Sequence, residues 1–188
     1  MSVLKWSGFA VMAAFAGFVG LILVGYTIAD VGGWDAVGLI ALVVVPLALL
    51  CLLAYARPSV AVPVLAVGAL APIAFGVMYL LDYDRWSAWE DQHGPLSLVL
   101  LMAVAAPLAV LGLSRPAAAG SLMLAAALVP VLLETIGAGS DWARPLSIGL
   151  VIVPGVVSAV LFLLAGRERA SRGESASGRG PVRPLGSH

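Results

Sequence analysis

The sequence predicts an all-α, polytopic integral membrane protein: six transmembrane helices arranged as three helical hairpins, followed by a disordered C-terminal tail. Three observations carry this. Hydrophobic residues make up 62% of the chain and charged residues 11%, where a soluble domain carries about 25% charged residues. The apolar residues collect into six runs that hold no Asp, Glu, Lys, Arg or His. The charges between the runs are sorted by sign, alternating from one loop to the next.

The six runs are 6–29, 36–56, 59–81, 96–113, 117–133 and 146–166. Four of them reach 21 residues or more, and about 20 residues at 1.5 Å each cross a hydrocarbon core. The fourth and fifth are shorter and can borrow flanking residues such as Thr135 to Ala138. Lipid offers no hydrogen bonds, so each run must satisfy its backbone internally, which a helix does. A barrel strand would alternate apolar and polar residues, and LIALVVVPLALLCLLAYA does not. A buried helix of a soluble bundle would show an apolar stripe rather than an apolar circumference.

The first run has Lys5 on its flank and Thr27-Ile28-Ala29 as a loose cleavage site. Its length exceeds the roughly 7–15 apolar residues of a signal peptide. It is therefore expected to remain as a span.

Orientation follows from the basic residues. Lys5, Arg57, Arg115 and the tail arginines 167, 169, 172, 179 and 183 share one side; Arg85 and Arg144 stand on the other. The positive-inside rule places the first set, and with it both termini, in the cytoplasm of a cell-membrane protein. Eight of the ten acids lie opposite: Asp30, Asp35, Asp82, Asp84, Glu90, Asp91, Glu134 and Asp141. Trp34, Trp86, Trp89 and Trp142 fall in the outer loops and Trp6 at the inner face, the placement of an aromatic belt. Residues 167–188 are rich in Gly, Ser, Arg and Pro, the composition of a disordered basic cytoplasmic tail.

The hairpin expectation rests on punctuation. The inner turns are both Arg-Pro, 57–58 and 115–116, and each returning helix carries an interior proline, Pro46, Pro107 or Pro154. Such prolines kink membrane helices, and their freed carbonyls are satisfied by neighbours. Small residues such as Ala13, Gly17, Gly20, Gly68, Gly76 and Gly155 are the expected packing points between helices.

Much chemistry is missing from the apolar runs. An ionisable group in the bilayer marks an ion path, a proton relay or a cofactor, and here Ser158 and Cys51 are the nearest polar groups. No helical His pair offers axial ligands to haem, and no glycine loop followed by Lys and Ser or Thr cradles a phosphate. With zero formal net charge, nothing points to nucleic acid. No cofactor, no catalytic residue and no metal site is expected. The expected partners are the lipid bilayer, other membrane proteins and further copies of the chain.

The polar residues that stand out lie at the outer ends. Loop three, LDYDRWSAWEDQHGP, holds Glu90 and His93 three apart on one helix face, a spacing used in di-metal carboxylate sites when several helices supply it. The plainer reading is a short interfacial helix, with Trp86 and Trp89 in the headgroups and the acids facing water. Glu134 falls about one turn before the end of the fifth helix if that helix runs to Ala138. There it either snorkels to the interface or meets a cation. The function that fits a charge-free interior is a non-catalytic accessory or structural membrane protein. A small permease for a neutral or apolar solute is the alternative. An enzyme with an outer-face site at Glu90, His93 and Glu134 is the third reading.

Overall fold

The computed structural model describes residues 3–30, 32–93, 96–138 and 152–168, and these residues are helical apart from short turns. The helices are α1 (Val3–Asp30), α2 (Gly33–Ala56), α3 (Pro58–Gly68), α4 (Leu70–Leu81), α5 (Tyr83–His93), α6 (Leu96–Gly112) and α7 (Pro116–Ala138). A further helix, α8, covers 152–168. Loop five with Asp141, Trp142 and Arg144, the first residues of the sixth run, and the tail beyond 168 lie outside the described residues.

Among the described residues, four stretches are long and apolar enough to cross a membrane: Val3–Ala29, Gly33–Ala56, Pro58–Leu81 and Pro116–Ala138. The fourth run forms the shorter α6, 17 residues long. The described part of α8 also falls short of a full crossing length. The fifth run extends beyond its apolar limit at 133, because helix α7 takes in Glu134 to Ala138.

Local chemistry sets the boundaries. The turn from α1 into α2 uses Gly32 and Gly33 at φ of 66° and 55°, a backbone region open to glycine without steric cost. Arg57 precedes Pro58 and sits at φ −135°, ψ 70°, because the proline ring crowds the preceding residue out of the helical region. Its N–H closes α2 on the Leu53 carbonyl at 2.8 Å, and its own carbonyl receives Ala61 at 3.0 Å. Pro58 then stands in the first turn of α3, where no N–H is required. The 113–116 turn repeats the device: Arg115 N–H bonds Leu111 O at 2.8 Å, Ala119 N–H bonds Arg115 O at 3.0 Å, and Pro116 opens α7.

The third run is not one unbroken helix. It divides at Ala69 into α3 and α4. Pro72 is the cause: it cannot donate to the Gly68 carbonyl, and its ring presses on that same group. Pro46, Pro107 and Pro130 lie within helices that continue past them.

Packing is set by a few close backbone approaches. A Cβ placed on Gly76 would lie 2.7 Å from Pro130 Cα, and one on Gly137 would lie 2.6 Å from the Tyr79 carbonyl oxygen. Residue numbers rise together across these contacts, so α4 and α7 are parallel. A Cβ on Gly120 would lie 2.8 Å from Ala159 O and one on Gly166 2.9 Å from Ala117 Cβ, so α7 and α8 are antiparallel. At Gly112 the same addition would run into the Phe162 ring. The interior between these contacts is filled by Met12, Leu65, Leu108, Leu111, Met123 and Phe162, all buried. Among the small residues singled out from the sequence, Gly76 packs closely and Gly68 loosely. Gly17, Gly20 and Gly155 have no neighbour within 4 Å of an added Cβ, and Ala13 is exposed. Among α1 to α7, the most extensive pairing joins α4 to α7, which belong to different sequence hairpins.

Helices α1 and α2 are peripheral. Only 6% of the most apolar window of α2 is buried, and Leu42, Val45, Leu49 and Leu52 all face outward. A surface of this kind in water would be an aggregation site far above the few hundred Å2 that soluble monomers tolerate.

The glycine contacts are open to direct test. Gly76→Ala is expected to destabilise the bundle by roughly 1–3 kcal/mol through overpacking against a backbone atom, whereas Gly17→Ala should be neutral or slightly stabilising. Reversible unfolding of the two variants in mild detergent would measure both.

Candidate functional site

The contacts sort the helix ends, and with them the charges. Lys5 Nζ donates to the Leu113 carbonyl at 3.2 Å, placing the start of α1 beside the end of α6. The ammonium there meets the unsatisfied carbonyls of a helix C-terminus, where a cation is favoured. Gly166 against Ala117 brings the end of α8 to the same level. A Cβ on Gly68 would lie 3.8 Å from Val104 Cγ2; Gly68 is 11 residues past Arg57, and Val104 is 11 before Arg115. Lys5, Arg57, Arg115 and Arg167 therefore share one end of the bundle. The opposite end holds Asp82, helix α5 and the last turn of α7 with Glu134.

That opposite end is built on α5. Asp82, at φ −154° and ψ 79°, ends α4 by donating its N–H to Met78 O at 3.1 Å. It then starts α5: its carbonyl accepts from Trp86 N–H at 3.2 Å, and its Oδ1 accepts from the Arg85 N–H at 3.3 Å. This is an aspartate N-cap, worth about 1 kcal/mol over alanine. Asp84 in the first turn of α5 adds a second carboxylate at the favoured pole of the helix dipole.

An aromatic series fixes α5 to α4. Phe75 and Tyr79 stand edge to face at 5.5 Å, Tyr79 and Tyr83 at 5.7 Å, Phe75 and Trp86 at 5.8 Å, and Trp86 and Trp89 at 6.1 Å. Such pairs contribute about 0.5–1.5 kcal/mol each beyond the area they bury. Within the series the Tyr79 hydroxyl donates to Glu90 Oε2 at 2.6 Å, the length of a charge-assisted O–H···O bond. Glu90 and Tyr79 are both buried.

The outer-face residues singled out from the sequence are thus placed as follows. Glu90 does not face water: it lies 6% exposed against Tyr79. Glu134 does not snorkel. It is 2% exposed, inside α7, between Pro130 and Gly137, the two residues that touch α4. His93 is the last residue of α5, and its side chain lies outside the described part. The fold brings the two buried carboxylates to the same end of the α4–α7 pair, on α5 and α7. Among the described residues, no group of three His, Cys, Asp or Glu side chains gathers with metal-site geometry. Sequence reasoning missed Tyr79, although Tyr79 and Tyr83 are four apart and flank Asp82, a spacing that aligns them across the α4–α5 corner.

Searches against protein-family models, curated proteins and solved structures find no match to this chain.

What the arrangement does chemically is hold α5 down. Tyr79→Phe is expected to remove the 2.6 Å hydroxyl bond to the buried Glu90 Oε2, at a cost of about 1–3 kcal/mol. Hydrogen exchange across 83–93 should rise in that variant while exchange in α6 stays unchanged.

Proposed function

We propose that this chain is a six-span integral membrane protein of the cell membrane with both termini cytoplasmic. On this reading it is a non-catalytic accessory or structural component, and its outer surface is the α5 platform. The observation that carries the reading is the sorting of charge between bundle ends whose connecting helices are apolar on nearly every face. Lys5, Arg57, Arg115 and Arg167 at one end match the positive-inside rule. Asp82, Asp84, Glu90, Asp91 and Glu134 with Trp86 and Trp89 stand at the other. The outward-facing side chains of α1 and α2 suit contact with acyl chains. In this frame α6 and α8 complete the six crossings.

The packed centre favours a structural role over transport. Met12, Leu108, Met123 and Phe162 occupy the place where a path between helices would run, and Gly112 against the Phe162 ring and Gly120 against the Ala159 carbonyl hold α6, α7 and α8 close together. The buried Glu90 serves α5 docking through Tyr79, which supports a recognition platform over an outer-face enzyme.

Thiol labelling in intact cells tests the reading. In a Cys51→Ala background, Ala88→Cys on α5 is expected to react with an impermeant maleimide and Ser114→Cys in the α6–α7 turn to react only after lysis. The reverse pattern would invert the topology. Ala105→Cys and Ala126→Cys, both at buried positions, should stay unreactive; labelling there would move the assignment to a permease.

A further inference from the structure

The outer side of α5 carries a groove at the edge of the aromatic series, sharing Trp86 and Trp89 with it. It has a volume of about 390 Å3 and is lined by Arg85, Trp86, Ala88, Trp89 and Gln92. Arg85, Trp89 and Gln92 follow one another at four and three residues, so they share one face. Glu90 and Tyr83 point to the other side of the helix, into the aromatic series.

Arg85 has no ion partner among the described residues. The residues three and four ahead of it on the helix are Ala88 and Trp89, which carry no charge. Three residues behind it, Asp82 has Oδ1 engaged with the backbone of α5. A guanidinium beside two indole rings and a primary amide offers five fixed donors, the geometry that suits a phosphate oxygen pair. Next to this cationic face, beyond Ala88, runs an acidic edge formed by Asp84 and Asp91, both exposed. The groove therefore presents a donor set and a carboxylate edge side by side. Its depth is also fixed. One residue, Asp82, separates α5 from the end of the Pro58–Leu81 stretch, so α5 begins where an apolar span stops.

We propose that this groove binds the headgroup of a zwitterionic phospholipid whose phosphate is joined to a primary ammonium. Arg85 and Gln92 hold the phosphate, Trp86 and Trp89 lie along the glycerol and first chain carbons, and Asp84 takes the ammonium. The proposal rests on the membrane-spanning reading above. Charge complementarity selects the occupant: an anionic headgroup would meet the exposed Asp84 carboxylate unfavourably, and a quaternary ammonium cannot donate hydrogen bonds to it.

The test uses the full chain in nanodiscs made from equal parts of phosphatidylethanolamine, phosphatidylcholine and phosphatidylglycerol, with retained lipid counted by native mass spectrometry. Wild type is expected to retain phosphatidylethanolamine about tenfold over each of the others, the ratio that one charge-assisted contact supplies. Arg85→Gln should lower retention of all three lipids. Asp84→Asn should abolish the preference over phosphatidylglycerol while retaining a bound lipid. Both side chains are exposed, so unchanged hydrogen exchange in α5 serves as the folding control. Equal retention of the three lipids, a preference for phosphatidylglycerol, or an Arg85→Gln variant that behaves as wild type would overturn the proposal. Failure of the chain to enter nanodiscs at all, with release from membranes by alkaline carbonate, would instead overturn the membrane-spanning reading.

Discussion

The contact on which the rest of the bundle depends is the parallel approach of α4 to α7. Inside a bilayer, acyl chains are as apolar as leucine, so helix association rests on close van der Waals contact rather than on burial from water. Gly76 against Pro130 and Gly137 against the Tyr79 carbonyl supply that contact at two levels of one seam. Two points fix register as well as distance. They bring the end of α7 level with the end of α4, and α5, which begins one residue later, comes to rest against both. Glu134 is buried because it lies inside this seam, and Glu90 is buried because α5 sits on top of it.

The two ends of the bundle are finished by different physics. At the basic end, helices are closed by Arg-Pro turns through short-range backbone bonds, with one lysine ammonium on an open carbonyl added from α1. At the acidic end, closure is by side chains: five aromatic rings in edge-to-face order and one short hydroxyl–carboxylate bond. The first kind of closure is rigid and local. The second is spread over α4 and α5 and leaves one whole face of α5 available.

Much of this was legible in the sequence, for reasons that differ by residue. The turns at Arg57-Pro58 and Arg115-Pro116 follow from what proline does to the residue before it, so their positions could be read within a residue or two. The all-helical character follows from runs too apolar to be anything else. The break at Ala69 was not legible, because Pro63, Pro72, Pro107 and Pro130 look alike in an apolar run and only Pro72 stands at a break. Glycine content signalled close packing without saying where: Gly17 and Gly20 face outward, whereas Gly112 and Gly120, which drew no notice, meet Phe162 and Ala159. The site failed in the same way. An isolated Glu90 in a polar loop reads as solvent-facing, and its burial depends on Tyr79, a residue of another helix that carries no formal charge to advertise it.

The Lys5 bond to Leu113 joins residues 108 apart, and Gly8 rests on Ser158 and Phe162 further still along the chain. Helix α1 thus has its anchoring partners among the later helices. Its place in the bundle is fixed by contacts that close very long loops of chain, so it is secured only once α6 and α8 are in place.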